Sequence, residues 1–422
     1  MSPAGQAFLG ETFAYRNGVL FGEEVELAKL AAHAGTPCYV YSSAGIVGRY
    51  LAYDRAFGAA PHLVCYAVKA NSNLGLLRLL AAQGAGFDIV SGGELFRVSR
   101  AGGDPSKVVF SGVGKTAAEI EYALGQGIGC FNCESETELA LIDAVASRLG
   151  KTASVAMRVN PDVDASTHPY ISTGLKDHKF GIDIEEAGQV YGRARGLRHL
   201  RLEGVSCHIG SQLLETAPLL EAHAKVIKLI ESLRADGIPI KHLDAGGGLG
   251  VPYKAGDEMP SITNYVAALA KLATAHDLET RIEPGRSIVA SAGLLLTRVL
   301  YRKKTARKDF IVVDAGMNDL MRPALYQAHH EIIPLRQMPL LGTVTADIVG
   351  PVCESGDFLA RDRRIQNVMP GDLLAVCTAG AYGMVLASNY NSRPRPAEVM
   401  IEGPAWRTVR QRETWEDLVR GE

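Results

Sequence analysis

Between residues 60 and 290 short apolar runs recur along the chain, each closing on glycine or a polar residue. They cover 63–70, 87–90, 108–112, 130–133, 154–160, 204–210, 242–248 and 281–286, which makes eight candidate strands. Between most of them lie helical stretches, at 74–83, 93–100, 116–125, 134–148, 184–195, 218–236 and 262–276. Strands that alternate with helices pair in parallel, and eight such units in roughly 250 residues match a closed (β/α)8 TIM barrel. After residue 286 the rhythm changes to strands without long helices, at 310–314, 340–349, 373–376 and 397–401, with glycine, proline and charged loops between them. The expected fold class is therefore α/β: a (β/α)8 barrel followed by a mostly antiparallel β domain, sandwich-like or barrel-like. Runs at 13–19 and 38–41 also read as strands. The expected division is an N-terminal segment of 1–43 that pairs with the β domain, a barrel of 44–286 and a β domain of 287–422.

Composition narrows the function classes. The chain has 422 residues, 47% hydrophobic and 21% charged, with a formal net charge of −2. That describes an ordinary globular protein, with no charge surplus to hold nucleic acid or a membrane surface. The basic cluster Arg302-Lys303-Lys304 with Arg307-Lys308 is most simply a solvated hairpin turn. The N-terminus lacks a basic segment followed by an apolar core, and 287–301 is too short to span a bilayer and carries Arg298. A cytoplasmic protein is expected. Seven cysteines without regular spacing do not form a disulfide framework, and Cys130-Phe131-Asn132-Cys133 lies in a strand-like run without a second ligand pair. Core packing is expected for it. The adjacent His329 and His330 would point apart on any regular element, so no metal site is expected.

The chemically suggestive motifs fall at predicted strand C-termini, where a barrel gathers its functional groups. Lys69 closes the first strand and precedes Ala70-Asn71. A partly desolvated amine at a strand end can hold an aldehyde as a Schiff base, although a lysine snorkelling from a strand end has the same look. Gly246-Gly247-Gly248-Leu249-Gly250 follows the seventh strand. Glycines there let backbone N–H groups close around a phosphate, and a tight turn is the plainer alternative. Glu283-Pro284-Gly285-Arg286 brings a carboxylate and a guanidinium to the eighth strand end, a pairing equally compatible with a structural ion pair. Taken together, an amine for an aldehyde, glycines for a phosphate and a carboxylate for a ring nitrogen suit pyridoxal 5′-phosphate. His208, at the sixth strand end, could stack on the ring.

The wider set of motifs resembles the diaminopimelate decarboxylases, which belong to the barrel-type, alanine racemase-like class of pyridoxal-phosphate decarboxylases. The resemblance rests on Tyr66-Ala67-Val68-Lys69-Ala70-Asn71, Val159-Asn160-Pro161-Asp162, the stretch 174–181 ending His178-Lys179-Phe180-Gly181, and His208-Ile209-Gly210-Ser211-Gln212. It rests also on 246–250, Glu283 to Arg286, Gly350-Pro351-Val352-Cys353-Glu354-Ser355-Gly356 and Ala381-Tyr382-Gly383. It implies that Lys69 carries the cofactor, that His208 stacks on it, and that Gly247, Gly248, the Glu283–Arg286 segment with Pro284 and Gly285, and Tyr382 hold it. Cys353 would be a proton donor reaching in from a partner subunit of an obligate homodimer. The implied reaction is decarboxylation of meso-2,6-diaminopimelate to L-lysine and CO2, the last step of lysine biosynthesis by the diaminopimelate route.

Such a substrate has an amino-acid group at each end, so the site must bind a carboxylate and an ammonium at the end that does not react. By the resemblance, Arg286, Arg322 and Tyr326 contact that distal carboxylate, Glu354 the distal ammonium, and Tyr382 lines the pocket. Arginine pairs bidentately with carboxylates, and ornithine or arginine as substrate would leave these guanidiniums without an anion. Cys353-Glu354, where Cys-Asp would mark the ornithine and arginine enzymes, favours diaminopimelate. A non-catalytic homologue would be expected to lack one of Lys69, His208, Glu283 and Cys353, and all four are present. A racemase would place an arginine where Glu283 stands. The loop 162–179 is the expected lid.

Overall fold

Eight strands of the computed structural model, which describes residues 8–163 and 179–422, close into a parallel barrel. In chain order they are β1 (His62–Ala67), β2 (Gly86–Ile89), β3 (Val108–Phe110), β4 (Cys130–Cys133), β5 (Ala153–Asn160), β6 (Leu200–Ser206), β7 (His242–Asp244) and β8 (Glu279–Ile282). Each pairs in parallel with the next, and β8 pairs with β1 to close the ring. Helices follow the strands at Leu74–Ala81, Gly92–Ala101, Ala117–Gln126, Glu136–Arg148, Ile184–Ala194, Ala217–Ala235 and Ile262–Thr274. Their starts are written locally: Asn73, Ser91, Thr116, Ser135, Asp183 and Ser261 each accept a backbone N–H of the first turn, satisfying donors that a helix N-terminus otherwise leaves open. The barrel interior includes Cys65, Val109, Cys130 and Ala156, so the Cys130–Cys133 strand is packed core. Six of the seven cysteines are buried, and Cys353 is exposed.

Strand ends differ from the expected ones where glycine changes the backbone. The expected strand 242–248 stops at Asp244, because Gly246 and Gly248 adopt φ of 62° and 115°, outside the extended region. The first strand ends at Ala67, and Lys69 sits in a 3-10 turn over Val68–Ala70. The sixth begins earlier than expected, at Leu200, since Arg201 and Glu203 mask its start with outward polar positions.

The second unit comprises Met1–Gly48, Val251–Met259 and Arg286–Glu422, and the barrel unit comprises Arg49–Gly250 and Pro260–Gly285. Its sheet runs Phe358–Gln366, Thr343–Val349, Asp309–Val313, Gly293–Lys304, Cys38–Ser42, Ala397–Glu402 and Ala405–Arg410, with Leu373–Val376 paired to Gly293–Lys304 and Ile332–Pro334 paired to Leu373–Val376. Most pairings are antiparallel. Gly293–Lys304, which no expected element covers, is the 12-residue strand on which this sheet is organised. The basic cluster at its end forms the hairpin to Asp309–Val313. Phe13–Arg16 and Val19–Gly22 form a second hairpin around Asn17 and Gly18, both at positive φ, as a two-residue turn of this kind requires. Among the described residues no helix is long and apolar enough to cross a membrane. The expected lid, 162–179, lies outside the described residues except at its ends, as does most of 174–181.

Candidate active site

Polar residues converge at the C-terminal ends of the barrel strands. Lys69 donates a short hydrogen bond to the carboxylate of Asp88, the one charged residue of β2, which is fully buried. The other oxygen of Asp88 is buried without a partner. Glu283 is 8% exposed and accepts from Asn132 Nδ2 at 3.0 Å and from the Ser111 hydroxyl at 3.3 Å. The same Asn132 amide donates to Asp244 Oδ2 at 2.9 Å, while Asp244 Oδ1 accepts the N–H of Gly246 at 2.9 Å. A pocket of about 190 Å3 lies over these groups, lined by Lys69, Ser111, Asn132, Arg158, His208 and Glu283 among others.

Burial sets the charges here. Desolvation, and then the neighbouring carboxylates Asp244 and Asp88, push the Glu283 carboxyl well above the usual range. Asp244 is raised as well, chiefly by desolvation. Two carboxyls this close inside protein cannot both ionise at little cost, and Glu283 is raised the further of the two. His208 is held far below its ordinary pKa by burial and then by the charges of Arg158 and Lys69. Its Nδ1 accepts the N–H of Gly247 at 3.2 Å, so the neutral ring carries its proton on Nε2.

The glycine run needs its glycines. A Cβ on Gly246 would lie 2.4 Å from the Cys207 carbonyl oxygen, and one on Gly247 would lie 2.4 Å from that of Glu283. Gly248, at φ of 115°, would bring a Cβ within 2.7 Å of the Gly210 oxygen. The Glu283–Gly285 turn packs against the turn that carries Lys69. The Ala67 N–H donates to the Pro284 carbonyl at 3.1 Å, and a Cβ on Gly285 would sit 3.0 Å from the methyls of Ala67 and Ala70.

The second unit assembles a separate group. Arg286 and Arg322 are each 7% exposed. Arg286 donates to the Tyr253 hydroxyl at 2.7 Å and its guanidinium lies 4.8 Å from the centre of the Tyr382 ring. Arg322 opens the short helix Arg322–Tyr326, stands 4.5 Å over the Tyr253 ring and donates to His330 Nε2 at 3.0 Å. Burial works against the Arg286 charge, but Tyr253, Tyr382 and Tyr326 outweigh it and raise its pKa. Arg322 is lowered, by burial and also by the like charge of Arg286, against the opposing pull of Tyr253. Cys353 and Glu354 stand exposed on a loop fixed by the Cys353 N–H to Asn391 Oδ1 bond at 2.8 Å. Among the described residues, neither side chain bonds to the arginine group.

Sequence reasoning missed Asp88, Asn132, Asp244, Tyr253 and His330. The first three carried a signal: each is a polar residue inside or closing an apolar barrel strand, where burial on both sides makes polarity costly unless it is used. Tyr253 and His330 carried none, since both lie in irregular segments.

The chain's relationships agree with this geometry. Residues 43–290 match the family model "Pyridoxal-dependent decarboxylase, pyridoxal binding domain". The chain is 55% identical to a diaminopimelate decarboxylase of Pseudomonas aeruginosa over 98% of this chain and 99% of that one. It is 56% identical to that of Vibrio cholerae over 95% and 96%. A crystal structure of the Helicobacter pylori diaminopimelate decarboxylase complexed with L-lysine superposes with a TM-score of 0.90 at 45% identity, covering 94% of this chain and 98% of that one. The enzyme of M. jannaschii in complex with L-lysine gives 0.92 at 39% identity, covering 97% of each. With family, fold and the whole length of the chain in agreement, this protein belongs to the diaminopimelate decarboxylases, a branch of the pyridoxal-dependent decarboxylases.

Proposed function

We infer that this chain decarboxylates meso-2,6-diaminopimelate to L-lysine and CO2, the last step of lysine biosynthesis by the diaminopimelate route, with pyridoxal 5′-phosphate as cofactor. The observation that carries the substrate choice is the pair of buried guanidiniums, Arg286 and Arg322, gathered on one phenol ring. Two buried cations beside neutral groups favour a ligand that brings its own anion. The relatives crystallised with L-lysine hold a ligand with a carboxylate at one end.

The barrel residues fit the cofactor on three counts. The glycine cradle leaves no room for side chains, an unpaired buried oxygen of Asp88 sits beside Lys69, which lines the pocket, and a raised carboxyl, Glu283, lines that pocket as well. When bound, pyridoxal phosphate supplies an aldehyde for amines and a protonated ring that accepts the electron pair left by departing CO2.

The chain's own groups do the rest. Lys69 would hold the aldehyde through its amine, with Asp88 orienting that amine. Glu283 would face the ring nitrogen, where its carboxyl, buried beside Asp244 and Asp88, would favour a protonated, cationic ring. The Gly247-Gly248 cradle, through the Gly248 N–H, with the segment through Pro284, Gly285 and Arg286, would hold the phosphate, and His208 would cover the ring with its neutral face. Tyr382 lines the pocket. Arg286, Arg322 and Tyr326 bind the distal carboxylate and Glu354 the distal ammonium. Cys353, exposed in the single chain, delivers a proton to the substrate α-carbon from the partner subunit of a homodimer, which we place in the cytoplasm.

The test is CO2 release by the cofactor-loaded protein from meso-diaminopimelate, with ornithine and arginine in parallel. Release from meso-diaminopimelate alone, with L-lysine formed, is the expected result. Release from ornithine or arginine alone would overturn the roles given to Arg286, Arg322 and Glu354.

A further inference from the structure

We propose that His330 is a positioning residue for recognition of the distal carboxylate: its uncharged imidazole aims the Arg322 guanidinium without neutralising it. The inference rests on the reading of Arg286 and Arg322 as the carboxylate-binding pair.

His330 is fully buried. Its Nδ1 lies 2.8 Å from the Cys377 carbonyl oxygen, which can only accept, so Nδ1 donates and Nε2 keeps its lone pair. That lone pair accepts an N–H of Arg322 at 3.0 Å. Tyr253 meets the imidazole edge-on at 5.1 Å between ring centres, and the Arg322 guanidinium stands 4.5 Å over the same Tyr253 ring. The three side chains form one interlocked unit, and Tyr253 also takes the Arg286 N–H on its hydroxyl. Among the described residues no carboxylate forms an ion pair with Arg322, and its Nε is buried without a partner. Glu331, next to His330 in sequence, turns instead to Arg363 and His329, and Asp319, three positions before Arg322, lies 3.9 Å from Arg393.

The choice of an imidazole has a physical consequence. A carboxylate at this position would orient Arg322 equally well but would cancel the charge that a substrate carboxylate needs. A neutral acceptor fixes the guanidinium plane and leaves the charge whole. Burial and the adjacent guanidiniums of Arg322 and Arg286 keep the ring neutral, its pKa held well below the ordinary histidine value.

Three variants of the cofactor-loaded protein separate this role from simple packing. His330→Gln sets an amide oxygen where Nε2 stood. His330→Asn keeps a donor for the Cys377 carbonyl but cannot reach Arg322. His330→Glu supplies the neutralising charge. Each is titrated with L-lysine, which retains the distal carboxylate, and with cadaverine, which is lysine without it, and binding is followed by the absorbance of the bound cofactor.

The expected result is that His330→Asn and His330→Glu weaken L-lysine by about tenfold or more, the scale of one charge-assisted bond. Cadaverine should stay within about twofold and His330→Gln near wild type, with the starting cofactor absorbance unchanged in all three. Unchanged L-lysine binding in the Asn variant, equal weakening of both ligands, or a Gln variant as poor as Asn would overturn the proposal. Should the Glu variant not fold, the Asn and Gln pair decides alone. Wild-type protein that fails to prefer L-lysine to cadaverine would instead overturn the carboxylate reading of the two arginines.

Discussion

Asn132→Leu should destabilise the cofactor-free protein, and by more at pH 8 than at pH 5. The Asn132 amide donates to one oxygen of Asp244 and one of Glu283, at 2.9 and 3.0 Å, and is itself 3% exposed. Leucine nearly keeps the volume and removes both donors. Both carboxyls have folded-state pKa values above their ordinary ones, from burial and mutual proximity. A carboxyl raised in this way holds its proton more tightly folded than unfolded. The stability it contributes is complete below the ordinary carboxylate pKa and is lost as pH rises through the raised values. Asn132 opposes that loss, because its N–H groups favour the ionised oxygens. At pH 8, with one carboxyl of the pair ionised and the other keeping its proton, the bond to the charged acceptor is worth about 1.5 kcal/mol and the bond to the neutral one about 0.5 kcal/mol, about 2 kcal/mol together. At pH 5 more of the pair is protonated, and bonds to neutral carboxyls are worth only about 1 kcal/mol in total. Urea unfolding at the two pH values, compared through the shift in midpoint at constant slope, measures both differences. A loss equal at pH 5 and pH 8, or larger at pH 5, would refute the account of the Asp244–Glu283 pair.

Two further outcomes follow from the site. Gly247→Ala must push its methyl against the Glu283 carbonyl, 2.4 Å from the ideal Cβ position, and should weaken cofactor binding by about tenfold or more as the cradle opens, with an overpacking cost of about 1–3 kcal/mol; equilibrium dialysis with pyridoxal phosphate and thermal unfolding check the two effects. Cys353→Ala should lower turnover by about 10²–10⁴-fold while leaving the bound-cofactor absorbance intact. Mixing that variant with Lys69→Ala should restore about one quarter of wild-type activity, since half of randomly paired homodimers would hold one intact site of two; no restoration would remove the shared-site homodimer.

Much of the barrel is legible in the chain. Its strands are buried on both faces and read as apolar runs, and caps such as Ser91, Thr116 and Ser135 announce the helices between them. The β domain is less legible. Gly293–Lys304 begins apolar and ends in a basic hairpin, Phe358–Gln366 carries three arginines and an aspartate, and Ala405–Arg410 is largely exposed, so these strands lack the clear alternation that marks a half-buried one. The Asn17-Gly18 turn was a hairpin signal within a stretch that otherwise reads as one strand.

The residue types at the strand ends are a property of the chain alone: Lys69, His208, the glycines and Glu283 stand where parallel strands must stop, so the sequence by itself determined the class of cofactor and the family. Which groups meet was decided only by the tertiary structure. Asn132 reaches Asp244 across 112 positions and Glu283 across 151, because closing eight strands into a ring brings distant strand ends to one floor. Arg322 and His330, eight positions apart, meet Tyr253 from a separate segment of the chain. The charges on these groups are likewise set after folding, since desolvation and neighbouring charge, which raise Glu283 and lower His208, exist only once the chain has excluded water.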